Sequence, residues 1–345
     1  MIYFIIFYLL QLFIYILSEY FENKRTIKNI LFIFSMIMSI LFAALRLNDP
    51  DRSSYIAIYL NERDIPELGY NFFMKIFQST NVLYYYYFAF INLISLIILY
   101  YNINKLSKNK MFSILIYISY LYLIKDFIEI RNAVAISLIL FSIKYLKKKS
   151  YTFFIIVFIS YLFHITMIIW IPLFFFANYK FSKKKLFFIL LFSFVFGKYI
   201  LQQELFFDIA KYLNENGIIS SYKYIKITHH IRYMYNSTFS IRTYYYICLI
   251  GILILYKNKL KDNLDYNLFL NILVYALGIK LIFCNYSTIS NRLFENFYIV
   301  SIFIIPLFAE KIKQKKISKF AIIFLNFILY INFVCNTLNY YNIFL

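Results

Sequence analysis

Apolar stretches long enough to cross a bilayer recur along the whole chain, and no other feature narrows its fold so far. They fall at about residues 2–18, 28–45, 81–101, 111–124, 132–146, 151–163, 165–178, 186–200, 241–256, 266–284, 293–309 and 320–336. Hydrocarbon offers no hydrogen bonds, so a spanning backbone must satisfy its own polar groups. The expected fold class is an all-α polytopic membrane protein, a single integral membrane domain over residues 1–345. Composition agrees: 15% of the residues are charged, against about 25% in a soluble domain.

The first run lacks a basic start and a small-residue cleavage site, so it reads as a retained helix. Cys248, Cys284 and Cys335 lie in or beside apolar runs, where they read as small buried hydrophobes. The run 151–178 has Lys147, Lys148 and Lys149 before it and Lys180, Lys183, Lys184 and Lys185 after it. Both ends therefore belong in the cytoplasm. Two short helices meeting near His164 satisfy that, and one crossing does not. The expected total is about twelve transmembrane helices with both termini outside.

A net charge of +20 is compatible with a nucleic-acid partner, but the positive charge sits in short segments between apolar runs. That pattern sets topology and contacts anionic lipid, so no nucleic-acid partner is expected. Sorted by this topology, 22 of the 36 Lys and Arg fall in the inner segments 19–28, 102–110, 144–150, 179–185, 257–265 and 310–319. Arg25 alone among those 22 is an arginine. The other seven (Arg46, Arg52, Arg63, Arg131, Arg232, Arg242 and Arg292) fall on the outer side. Arginine grips carboxylate and phosphate through a planar fork. An outer cluster therefore points either to an anionic substrate or to pairing with the acids on the same side. Two outer segments are long, a loop at 46–80 expected to be partly helical or interfacial, and a Tyr-rich basic loop at 201–240.

Four constellations can carry chemistry. Arg46, Asp49, Asp51 and Tyr55 follow the second apolar run, either as a solvated cap or as the start of a site. Arg131 opens an apolar helix, and Lys125 and Glu129 are spaced to pair with each other. His164 lies at the turn between two short helices, with Thr166 as its nearest polar neighbour in sequence. Arg292 and Glu295 lie one turn apart, either as a local bridge or as a second phosphate clamp. Phosphate-binding glycine loops, nucleophile elbows and helical metal-ligand pairs are absent from the sequence, so neither a metal nor a cofactor is expected.

In this order, the segments resemble the Wzy-type polysaccharide polymerases, in particular their EpsG-like branch. The resemblance rests on Arg46, Asp51 to Tyr55, Glu67-Leu-Gly-Tyr70, Arg131-Asn132 with Ala133 and Ala135, Phe163-His164, and Ser290-Asn-Arg292 with Phe297 and Pro306. It spans roughly residues 40–310. Pro50 stands where the family often has Gly, which leaves open whether Asp49 or Asp51 is the equivalent carboxylate.

The resemblance implies a membrane glycosyltransferase of the GT-C type, metal-independent, at the outer face of the cytoplasmic membrane. It would polymerise oligosaccharide repeat units linked to undecaprenyl diphosphate, for a capsule, exopolysaccharide or O-antigen. The expected partners are that lipid-linked substrate and the bilayer, with a chain-length regulator as a further candidate. On this reading Arg46, Arg131 and Arg292 bind the diphosphate. His164 or Asp51 takes the acceptor proton, with His164 favoured, and Asp49, Tyr55, Glu67, Tyr70 and Glu295 shape the substrate site. Arg52 is read as a solvated charge. The competing classes are a lipid-linked oligosaccharide flippase and a membrane acyltransferase.

Overall fold

A computed structural model describes residues 2–46, 49–61, 65–217, 220, 239–260, 263–312 and 314–338. Among these residues the chain is helical, with no strand. In order the helices are α1 (Ile2–Tyr20), α2 (Arg25–Ala44), α3 (Arg52–Tyr59), α4 (Leu68–Ser79), α5 (Tyr84–Leu106) and α6 (Lys110–Ile118). They continue with α7 (Leu121–Lys125), α8 (Ile130–Ile139), α9 (Ser142–Lys148), α10 (Thr152–Tyr161), a 3₁₀ turn (Ile165–Trp170) and α11 (Leu173–Phe176). The last are α12 (Lys183–Tyr199), α13 (Gln203–Glu215), α14 (Ile241–Tyr256), α15 (Leu264–Ile282), α16 (Ser287–Tyr298), α17 (Ser301–Ala309) and α18 (Lys315–Phe333).

Among the described residues, five helices are long and apolar enough to cross a membrane: α1, α2, α5, α15 and α18. The number rises to seven if α12 with α13, and α16 with α17, each form one bent span. Twelve were expected because each apolar run was read as one helix. The runs 111–124 and 132–146 are instead broken, into α6 with α7 and α8 with α9. A ten-residue helix such as α8 rises about 15 Å, half of a bilayer core. The run 151–178 does break at His164, as its flanking lysines require, and α10 packs back against the 3₁₀ turn.

The chain divides into two compact units, residues 1–175 with 301–345, and residues 176–300. In the first, α2 packs on α1 and α5, α5 on α8, and α6 on α17. The α2 helix leaves Ile30, Ile33, Phe34, Ile37 and Leu41 exposed, a surface suited to lipid. Its inner face is polar. Ser35 donates to Gln11 Oε1 at 2.6 Å, and the Tyr100 hydroxyl lies 3.1 Å from Ser35 Oγ and 3.0 Å from Ser39 Oγ. Interhelical hydrogen bonds of this kind join helices that lipid would otherwise solvate equally well. The Phe7 and Phe42 rings stack at 4.1 Å beside this network.

In the second unit, α12 crosses α15 through small residues. Ser193 and Gly197 are four apart and share a face, and Gly278 on α15 sits opposite Ser193. A Cβ on Gly197 would fall 2.2 Å from the Leu281 carbonyl oxygen and 2.4 Å from that of Ile282. Asn285 also donates to the Gly197 carbonyl at 3.1 Å. Only a residue without a side chain permits this approach.

Gly197→Ala is therefore expected to lower stability by about 1–3 kcal/mol, the usual range for overpacking. A thermal melt of purified protein in detergent checks it. Gly251→Ala serves as the comparison and is expected to be silent, since a Cβ there meets nothing within 4 Å.

Candidate functional site

The site begins where α2 ends. α2 closes at Leu45, whose amide donates to the Leu41 carbonyl, and Pro50, which has no amide hydrogen, stands five residues on. Asp49 then organises the turn: its Oδ1 accepts from the Asp51 amide at 3.0 Å and its carbonyl accepts from the Arg52 amide at 3.1 Å. Asp51 becomes the N-cap residue of α3. This turn fixes three charged side chains within four residues.

Arg46 is 2% exposed. Its Nη1 donates to the carbonyl of Asp126, its Nε lies 3.3 Å from Asp49 Oδ2, and its guanidinium stands 5.5 Å from the centre of the Phe127 ring. The Asp126 carboxylate is held in turn by the Tyr117 hydroxyl and, at 3.0 Å, by Ser95. Burial raises the Asp49 carboxyl above its ordinary value, while Arg46 and Arg52 act to lower it.

Arg52 corrects the sequence reading. It is 4% exposed, not solvated, and lies over the rings of Phe88, Tyr85 and Tyr84 at 4.7, 5.0 and 5.6 Å. The first turns of α5 supply these ring faces, whose negative quadrupoles hold a guanidinium in place of water. Neighbours in sequence gave no sign of this, because the rings come from more than thirty positions away.

Arg131 opens α8 beside the same cluster. Glu129 is occupied by Lys125 at 2.6 Å and Asn132 at 2.8 Å, so the expected local pair forms. Arg131 instead reaches Glu67 Oε2 at 2.8 Å, and its guanidinium lies 5.4 Å from the Tyr55 ring centre and 5.9 Å from that of Tyr70. Tyr55 and Tyr70 pack with Tyr59, Met74, Tyr87, Phe88 and Ile130 in one buried cluster. The Arg131 side chain keeps 21% of its surface exposed, so this guanidinium is the accessible one. Burial holds the Tyr70 hydroxyl far above the ordinary tyrosine value, and Arg131 and Arg46 both pull against it. Two of the predicted arginines thus act on one tyrosine.

The His164 turn joins this assembly through α4. The Gly69 amide donates to the Leu162 carbonyl at 2.8 Å, and Phe163 stacks on Phe73 at 6.1 Å. Thr166 is the neighbour that the sequence singled out, with Oγ1 2.7 Å and its amide nitrogen 3.4 Å from His164 Nδ1. An amide hydrogen aimed at Nδ1 fits the tautomer protonated on Nε2. In that form the remaining ring hydrogen, on Nε2, is a donor.

Arg46, Asp49, Asp51, Tyr55, Glu67, Tyr70, Arg131 and His164 all lie in the first unit. Arg292 and Glu295 lie on α16 in the second, Arg292 exposed and Glu295 buried. Residues Arg63, His229, His230 and Arg232 lie outside the described residues. The sequence reading did not single out three buried charges, Asp126, Lys257 and Lys280. Lys280 is 1% exposed within α15, donates to Asn291 Oδ1, and sits 5.3 Å from the Phe294 ring centre. A single charge inside an apolar run was the available signal for Lys280.

Among the described residues no cluster of His, Cys, Asp and Glu is arranged to hold a metal. The cluster instead holds surplus donors. Arg46 Nη2, Arg52 Nε and Arg131 Nε are buried without a hydrogen-bond partner. Buried unsatisfied donors are costly, and anionic oxygens would satisfy them.

A model of the EpsG family matches residues 29–344. No curated protein and no solved structure matches the chain.

The buried and exposed arginines should behave differently. Arg46→Leu leaves Asp49 and the Asp126 carbonyl without their cation and is expected to cost about 3–5 kcal/mol, read as lost folded protein in a detergent melt. Arg292→Ala is expected to leave the melt unchanged.

Proposed function

Because the chain belongs to the EpsG family, we propose that it is a membrane glycosyltransferase that polymerises surface polysaccharide from lipid-linked repeat units. The substrate in this reading is an oligosaccharide on undecaprenyl diphosphate, presented at the outer face of the cytoplasmic membrane. The observation that carries it is Arg131: partly exposed, oriented by Glu67, walled by Tyr55 and Tyr70, and with a buried Nε still lacking an acceptor.

The acceptor hydroxyl of an incoming unit attacks the anomeric carbon of the growing chain. The bond from that carbon to the phosphate oxygen breaks, and the diphosphate leaves with the electron pair. Its charge grows as the bond lengthens, so a fixed guanidinium stabilises the transition state more than the ground state. Arg131 supplies that charge, and Glu67 holds one edge of the fork so that the remaining donors keep their aim. Arg46 contributes field from its buried position. Asp51, half-buried at the start of α3, takes the hydroxyl proton. The His164 Nε2 hydrogen donates to a substrate oxygen. Asp49, 3.3 Å from Arg46 Nε, fixes the Arg46 side of this group.

Polymer length in cells carrying single variants tests this. Arg131→Lys keeps the charge and loses the fork, and is expected to leave single repeat units on the outer face at normal protein level. Normal long polymer would overturn the clamp, and accumulation inside the cell would indicate transport rather than polymerisation. Asp51→Asn is expected to lower polymer formation by roughly 10²–10⁴-fold, the usual scale of a general base. His164→Gln, which keeps a donor, should retain more polymer than His164→Leu.

A further inference from the structure

A second cationic site lies at the far end of α2. The helix runs from Arg25 to Ala44, so its two ends are about 30 Å apart, the thickness of a bilayer core. The arginine cluster described above follows its C-terminus. At its N-terminus a cavity of about 250 Å³ opens between the α1–α2 turn and the α5–α6 turn. Four cations line it: Arg25, Lys28, Lys108 and Lys110.

The negative charge nearby does not balance them. Glu22 is the one carboxylate in the lining. The next acid along, Glu19, is already engaged, by Lys319 at 2.7 Å and by Asn109 at 3.0 Å. The Asn109 bond also braces the α5–α6 turn that carries Lys108 and Lys110. Burial lowers Lys110 below the ordinary lysine value, and the charges of Arg25, Lys28 and Lys105 act in the same direction. Asn109 caps α6, whereas Lys24, the residue before α2, gives it no side-chain cap. The first-turn amides of α2 therefore add their positive end to the same cavity.

Two further features set the class of anion. Arg25 is the arginine of the otherwise lysine-bearing side, and its fork matches two phosphate oxygens where a lysine matches one. The cavity is also not polar throughout. Phe32 and Met111 line its other wall, with Lys110 Nζ 5.7 Å from the Phe32 ring centre. Beyond it run the exposed Ile33, Phe34 and Ile37 of α2. A ligand seated there meets cations at one end and an apolar helix surface at the other.

We propose that this cavity binds the phosphate-bearing headgroup of an anionic membrane lipid, with an acyl chain lying along the exposed surface of α2. The site is separate from the arginine cluster and does not depend on glycosyl transfer.

Native mass spectrometry of the full-length protein in detergent micelles tests it, with phosphatidylglycerol and phosphatidylcholine as probes. Wild-type protein is expected to retain phosphatidylglycerol in preference. The variant Arg25→Gln with Lys28→Gln and Lys110→Gln is expected to lose that preference by at least about tenfold. A control removes three charges elsewhere on the lysine-bearing side, by Lys144→Gln, Lys147→Gln and Lys148→Gln. Equal loss in this control would overturn a specific site. Arg25→Lys covers the case in which the triple variant fails to fold: reduced phosphatidylglycerol retention at unchanged melting temperature supports the fork, and unchanged retention counts against it. Inorganic phosphate is the second arm. If phosphate alone raises the melting temperature of lipid-free protein as far as phosphatidylglycerol does, the ligand is a soluble phosphate compound and the lipid assignment fails.

Discussion

The ion pair between Glu67 and Arg131 determines where the segment between α2 and α5 can lie. Glu67 stands at the start of α4 and Arg131 at the start of α8, 64 positions later, and their atoms meet at 2.8 Å. Neither charge would be stable in that aromatic surrounding alone, since desolvation of an unpaired ion costs several kcal/mol. Once they meet, α4 is committed to the mouth of the helix bundle. Tyr70 then falls against Tyr87, the Gly69 amide reaches Leu162, and the His164 turn is drawn in behind Phe73. The candidate site is in this sense assembled by a single electrostatic contact, and the hydrophobic cluster around Tyr55 closes over it.

The arginines of this cluster illustrate how one residue type serves three ends. Arg46 is spent on a carbonyl and a carboxylate, so it supports structure and contributes field. Arg52 is held by ring faces, an arrangement that neutralises no charge and leaves Nε unbonded. Arg131 is paired yet partly open. A sequence shows three arginines near the ends of helices; it does not show which has its hydrogen bonds already filled.

The helical class, the break at His164 and the Lys125–Glu129 pair were all legible, because each depends on spacing within a few residues. Apolar length and lysine placement carried the first two, and an i,i+4 separation carried the third. The contacts that bring Arg46, Tyr55, Tyr70 and Arg131 near one another were not legible, because the order of motifs along a chain says nothing of which side chains meet. What escaped depends on contacts distant in sequence. Arg52 was misread because its ring partners lie in α5, and Asp126 went unnoticed because its partners Tyr117 and Ser95 are hydroxyls 9 and 31 positions earlier. The expected twelve crossings are not matched by twelve long helices among the described residues, because runs such as 111–124 and 132–146 fold as pairs of short helices, and an apolar run does not show where its helix breaks. Part of the long Tyr-rich stretch at 201–240 lies outside the described residues.

The direction of these pairings along the chain has a consequence for how the protein is made. A membrane protein is inserted from its N-terminus onward, and a charge that enters before its partner must wait unpaired. Lys125 meets Glu129 within one turn, so that bond closes as soon as the turn is formed. Asp126 takes its hydrogen bonds from Tyr117 and Ser95, 9 and 31 positions earlier. Arg131 takes its carboxylate from Glu67, earlier still. When α8 leaves the ribosome, all of these partners, charged or hydroxyl, are already present, and the segment can be inserted without waiting for helices not yet synthesised.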